Sequence, residues 1–286
     1  MSKFFVPHPL MACLVGVEKH LGSTKEWKPT NAGQKKFIYD IYTERGDLRF
    51  FRDWELKTYA DKSAAKLNEI LKKKEFDIYL SDLGPDGVGA VSILKVVFDW
   101  IKKGIKCSME FSGKNYQAMK FEDGFTVYSS PKHRFPIVKM EAMGGYEIFI
   151  TLSGEGRSVP SDGFSLYDTI NGIMKNISID EEATYENKFL KVPYLKIDTE
   201  LDVGWMLGIS NEGLDKRPVV LEQVKEQLKL VVDEKGMKID AAAAVGTRSM
   251  GITINKPFYM LVKKKGVWYG IVYSLIDTDA LVEEQR

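Results

Sequence analysis

Short runs rich in β-branched and aromatic residues recur along this chain and restrict its fold more than any other feature. They are FIYDIYT (37–43), VSILKVVFDWI (91–101), FTVYSS (125–130), FPIVKM (135–140), YEIFITL (146–152), KVPYLKI (191–197), FYMLV (258–262) and WYGIVYSLI (268–276). Such runs suit a pleated, half-buried surface, so sheet is expected to dominate. Gly144-Gly145, set between two of them, reads as a tight antiparallel hairpin turn. Other segments carry the helical period. Leu10, Cys13, Leu14, Val17 and Leu21 recur at three- and four-residue steps and stop at Gly22, which predicts an amphipathic helix over 10–21. Glu18, Lys19 and His20 fall largely on its other side. SAAKLNEILKKK (63–74) and SLYDTINGIMKN (165–176) show the same spacing, and GRSVPSDG (156–163) reads as a loop. Around Leu221, Val224, Leu228 and Val231 a helical step competes with LKLVV, and the latter half is read as strand. The pattern is α+β, with helices flanking sheets. At 286 residues and 44% hydrophobic, the chain can bury the core of a single domain over 1–286, and no repeat or linker interrupts it.

Composition and motifs exclude several function classes. Lys+Arg 41 against Asp+Glu 40 leaves a formal charge of +1, so no global field recruits nucleic acid or an acidic membrane. No run approaches the roughly 18 apolar residues of a membrane span. Prolines at 7 and 9 break the opening apolar stretch, so it is not read as a signal peptide. Cys13 and Cys107 are too few for a disulfide scaffold and favour a reducing, cytoplasmic setting, secretion being the alternative. Asn176-Ile177-Ser178 spells a glycosylation sequon that matters only after secretion. GPDGVGAV (84–91) lacks the glycine spacing and the Gly-Lys-Ser/Thr ending of phosphate loops. His8, His20 and His133 are scattered and form no metal-ligand spacing, and no Gly-x-Ser-x-Gly elbow is present. The expectation is therefore no enzyme, no catalytic residue, no metal and no cofactor.

The stretch DEKGMKIDAAAAVGTRSMGITINKPF (233–258) is the unusual one. Met237, Ile239, Ala241, Ala243 and Val245 share one parity while Lys238, Asp240 and Ala242 share the other, the period of a half-buried strand. Alanine is small and unbranched, so Ala241 to Ala244 lie in a sheet without demanding space. The run leads into Gly246, Thr247, Arg248, Ser249, Met250 and Gly251, a small, flexible stretch with one long cation that a trypsin-like protease can grip. A latent strand precedes a cleavable loop.

Read with its flanks, this stretch resembles the hinge and reactive loop of the serpins, large suicide inhibitors of proteases. VVDEKGMKIDAAAA looks like the serpin hinge, and NKPFYMLV and WYGIVYS are similar to the strands after the loop. FFVPHPLMACLVGVEKHLGST is similar to the family's first buried strand and helix, SDLGPDGVGAVSILKVVFDWI to its long central strand and KVPYLKIDTELDV to another, so the resemblance covers nearly the whole chain. It implies a large mixed β-sheet with two smaller sheets, flanking helices and an exposed reactive loop at about 237–254. It further implies a monomer whose partner is a target protease, held as an acyl-enzyme while the cut segment inserts into the large sheet.

The resemblance assigns the hinge to Gly236, Met237, Lys238, Ile239, Asp240, Ala241, Ala242, Ala243 and Ala244. It places the reactive bond at Arg248-Ser249, which favours a trypsin-like protease, with Met250-Gly251 as the alternative. The sheet-opening region falls on His8, Met11 and Trp100. Departures stand beside these matches. The family's leading helix is expected to be missing, in keeping with compacted viral members, and Met237 and Lys238 replace a small hydroxyl and an acid. His8 and Met11 stand where the family has small serines. From Gly236 to Arg248 an extended chain covers roughly 40 Å at about 3.3 Å per residue, a short pull on a captured protease. The alternative function is a non-inhibitory serpin-fold interaction module.

Overall fold

The computed structural model describes residues 1–23, 25–84, 88–154, 160–214, 218–236 and 251–284. The chain opens with β1 (Lys3–Phe5) and α1 (Pro7–Leu21). The helix begins three residues before its apolar stripe because Pro7 fits the first helical turn, and Gly22 closes it at φ 63°. α2 (Ala32–Lys36) follows, with Asn31 accepting the Gln34 N–H as its cap.

Residues 37–43, expected as a strand, instead continue this helix through a wide turn (Phe37–Ile41) into a 3₁₀ stretch (Tyr42–Phe50). Phe37, Ile38, Ile41 and Tyr42 are all buried, so the apolar residues form one helical face rather than alternating. β2 (Leu56–Asp61), α3 (Ala64–Lys73) and β3 (Gly89–Leu94) come next; β3 stops well short of the run read over 91–101. β4 (Ile105–Phe111) and β5 (Lys114–Phe121) form a hairpin that the sequence reading did not anticipate.

β6 (Phe125–Ser130), β7 (His133–Ala142) and β8 (Tyr146–Leu152) form the expected meander, turning at Gly144 and Gly145 with φ 79° at each. α4 (Gly163–Met174) starts at a capping box between Asp162 and Ser165. Then come β9 (Ser178–Ile179), α5 (Glu181–Glu186), β10 (Leu190–Pro193) and β11 (Leu195–Leu201). β12 (Ser210–Glu212), β13 (Pro218–Val220), β14 (Glu226–Val232) and β15 (Ile252–Thr253) lead to β16 (Phe258–Lys264) and β17 (Val272–Ile276).

Seven strands form the largest sheet in the order β1-β17-β16-β8-β7-β6-β9, every pair antiparallel. A four-stranded sheet has the order β15-β10-β5-β4, its β10–β15 pair parallel. β2 with β3, β11 with β14 and β12 with β13 make two-stranded ladders. The seven-stranded sheet is buried on both faces, which explains the unbroken apolar runs of its centre. Phe258, Met260 and Val262 of β16 join one core with Met119, Phe121, Leu190 and Val192 of the smaller sheet. Tyr259 and Leu261 point the other way, into a second core with Leu10, Leu14 and Val17 of α1 and Leu166 and Ile170 of α4. α1 also packs beneath β2 and β3.

Candidate functional site

β11 and β14 pair in full antiparallel register from Leu195–Val232 to Leu201–Glu226, and the chain leaves β14 through Asp233, Glu234, Lys235 and Gly236. Trp100 clamps this exit. Its indole N–H donates to the Asp233 carbonyl at 2.7 Å and its backbone N–H to the Lys235 carbonyl at 3.0 Å. The ring is wedged edge-on against Phe98 and Phe121. The Asp233 carboxylate folds back to accept the Lys235 N–H at 2.8 Å and the Gly236 N–H at 3.3 Å. Glu234 is buried, accepts the Tyr194 hydroxyl and stands 3.6 Å from the Lys106 ammonium. Burial, then Glu234, push the Tyr194 phenol above its ordinary value. Gly236 bridges to Asp99 with φ 156°, and a Cβ there would lie 2.1 Å from the Phe98 carbonyl oxygen.

Along the first half of β14, before this exit, lies a cleft of about 510 Å³. Its walls are β3 and β14, which pair with β2 and β11 respectively but not with each other, and its floor is the Leu10, Cys13, Leu14 and Val17 stripe of α1. An extended segment, 76–81, turns Phe76, Ile78 and Leu80 inward, and the Gln227 and Gln223 side chains accept its Asp77 and Ser81 N–H groups. Lys229 of β14 adds an ion pair to Asp77 at 3.0 Å. At the far end of the candidate loop β15 is anchored on β10, and Gly251 lies against Phe189, whose ring would be 2.6 Å from a Cβ.

Trp100 bonds to Asp233 and Lys235, and its neighbour Asp99 bridges to Gly236. His8 and Met11 are fully buried on α1, but neither lines the cleft; Pro9, Leu10 and Cys13 do. Met237, Lys238, Ile239, Asp240, Ala241, Ala242, Ala243, Ala244, Arg248, Ser249 and Met250 lie outside the described residues. The sequence reading missed Glu226, which stands on β14 at the inward parity of Leu228, Leu230 and Val232; that parity was its signal. It also missed the Tyr194–Glu234–Lys106 group, whose members are far apart in the chain. Among the described residues no cluster of three or more His, Cys, Asp or Glu side chains is placed to hold a metal, and no helix is long and apolar enough to cross a membrane.

His8 packs against Phe51 with ring centroids 5.0 Å apart, and neither ring nitrogen has a hydrogen-bond partner. Burial holds the imidazole down at about 3, against an ordinary 6.5. Between those values the unfolded chain binds a proton that the folded protein does not, so His8 makes stability fall as pH drops, by about 1.4 kcal/mol per unit. Glu226 works in the opposite sense, because burial raises its carboxyl well above the ordinary range. The measurement is thus a comparison of urea unfolding for wild type and His8→Phe. Their stability difference should shift by about 1.6 kcal/mol, in favour of the variant, between pH 6.5 and pH 5; parallel pH profiles would show that His8 does not titrate this way.

No family model matches the chain, and no curated protein matches it. Solved structures do. Mouse protein-Z dependent protease inhibitor is similar over 96% of this chain and 90% of its own, with a TM-score of 0.61 and 14% identity. Human thyroxine-binding globulin, solved with its hormone, is similar over 96% and 91%, with a TM-score of 0.59 and 12% identity. Serpin48 of the insect Tenebrio molitor is similar over 96% and 91%, with a TM-score of 0.55 and 13% identity. The chain has a serpin-like fold.

Proposed function

We propose that this protein is a suicide inhibitor of a serine protease, a single-domain monomer that is cut in the 237–254 loop and takes the cut segment into the cleft between β3 and β14. The observation that carries the reading is the pair of strand edges that line that cleft and, among the described residues, pair with nothing across it, with the candidate segment following β14 in the chain. A strand laid there gains main-chain hydrogen bonds from both sides and buries its inward parity on α1. The packing of Gly251 against Phe189 supports Arg248-Ser249 over Met250-Gly251 as the bond cut, and hence a trypsin-like protease. A protease partner also accords with the protease inhibitor among the similar structures. Cys13 and Cys107, both free, fit a reducing compartment.

Incubation with trypsin should give a covalent complex that survives denaturing electrophoresis, and Ala243→Arg should shift the outcome from trapped to released protease far more than Ala242→Arg. Ala243 shares the inward parity of Met237 and Ile239, so its replacement must carry a charge into the sheet at a cost of several kcal/mol. Cleavage without any complex across a protease panel rejects the inhibitor reading, and equal behaviour of the two variants rejects the insertion register.

One observation favours a second reading, a non-inhibitory interaction module. β3 is 6 residues long and β14 is 7, edges of roughly 20 Å against the roughly 40 Å from Gly236 to Arg248. On this reading, nicking the loop leaves the melting temperature unchanged.

A further inference from the structure

Glu226 is the one feature of the cleft that strand insertion does not use. It opens β14 pointing inward, is 7% exposed, and its Oε1 is buried without a hydrogen-bond partner. The lysines near it in the chain are engaged elsewhere. Lys225 pairs with Glu200, and Lys229 with Asp77 and Asp198. Across the cleft, the Cys13 thiol is turned to the Ala90 carbonyl at 3.6 Å, and the Ser92 hydroxyl is held by Thr58 at 3.2 Å. A carboxyl taken out of water in this way is stable only if it stays protonated or meets a cation. Around it the lining is hydrocarbon, from Leu10, Leu14, Val17, Val91 and Leu228, and the volume of about 510 Å³ falls within the usual span of small-molecule sites.

We propose that this cleft is a binding site for a small apolar amine, with Glu226 taking the ammonium and the α1 stripe and the two strand walls taking the hydrocarbon body. The geometry selects the class. An apolar chain alone leaves Oε1 unpaired, an apolar acid sets two carboxyls against each other, and an ammonium donates to Oε1 while its tail covers the lining. This site stands independently of the protease reading, since neither a reactive bond nor insertion enters it.

The test is calorimetric titration of the intact protein with decylammonium chloride, 1-decanol and sodium decanoate, each below its aggregation concentration. Decylammonium should bind at least about tenfold more tightly than either of the others, the factor expected of one hydrogen bond to a charged group. Glu226→Gln, which keeps the shape and removes the charge, should bring decylammonium to the level of decanol and leave decanol unchanged. Cys13→Phe, which fills the cleft without touching its charge, should weaken all three probes together. Equal binding of the three probes to wild type overturns the proposal whether or not either variant folds, and so does selectivity for the cation that survives Glu226→Gln.

Discussion

Gly236→Ala is expected to cost about 3 kcal/mol or more and to disorganise the exit from β14. A Cβ at this position would lie 2.1 Å from the Phe98 oxygen and 2.6 Å from the Asp99 Cα, both backbone atoms that no rotamer change can move. The φ of 156° adds strain for any residue with a side chain. Relief requires separating the 98–100 segment from Asp233–Gly236, which breaks the two hydrogen bonds that Trp100 donates there. Overpacking and a disfavoured backbone each cost about 1–3 kcal/mol. Gly113→Ala is the matched control: its φ is 83° but a Cβ there meets nothing within 4 Å, so it should lose only about 1 kcal/mol. Urea unfolding of the two variants decides the matter, and equal losses would show that positive φ alone, rather than collision with Phe98, sets the cost.

Removing either partner of the Glu55–Lys264 pair should destabilise the fold by about 3–5 kcal/mol, because the other charge is left buried and alone. Glu55 is 2% exposed and Lys264 8%. One carboxylate oxygen accepts from the Tyr146 hydroxyl at 2.6 Å, the other from the Arg52 N–H at 2.8 Å and from the Lys264 ammonium. The ammonium also stands 5.2 Å from the ring centres of Phe51 and Tyr146. Desolvation of Glu55 opposes its ionisation, but these hydrogen bonds outweigh it and hold the carboxyl below its ordinary value. The arrangement ties the turn after the 3₁₀ stretch to the ends of β8 and β16. Glu55→Ala and Lys264→Met should each show the loss, whereas Glu55→Leu with Lys264→Met should recover much of it. A double variant as weak as the sum of the singles would mean that the two charges act separately.

What the sequence made legible follows from how local each signal is. β6 and β8 fall on the runs read for them because alternation and the flanking turns lie within a few residues. α3 and α4 were legible for the same reason, with Ser63 and Asp162 capping them. The β4–β5 hairpin was missed although IKCSMEF alternates strictly, because β5 mixes polar and apolar residues on both faces, neither strand is an unbroken β-branched or aromatic run, and the turn is a bare Ser112-Gly113 with φ 50° and 83°. KVPYLKI reads as one strand, yet Pro193 ends β10 and Tyr194 hands the chain to β11 in a different ladder, a division set by distant partners. At the site, Trp100 and Gly236 carried family-like signatures, while the contacts of Glu234 with Tyr194 and Lys106 form only once the fold is made.

The strand order of the largest sheet bears on how this protein is made in a cell. β16 and β17, at residues 258–276, lie between β1 and β8, so strands made long after the meander are the ones that join β1 to it. The Met1 amino group is bonded to Asp277, and Ser2 to Asp279, so residues made early wait for residues made much later. Until then the inner edge of β8 and both apolar faces of the β6–β8 meander stay open, an adhesive surface of the kind that folding catalysts and holding chaperones exist to shield. A nascent chain stalled before residue 258 would present that surface in full.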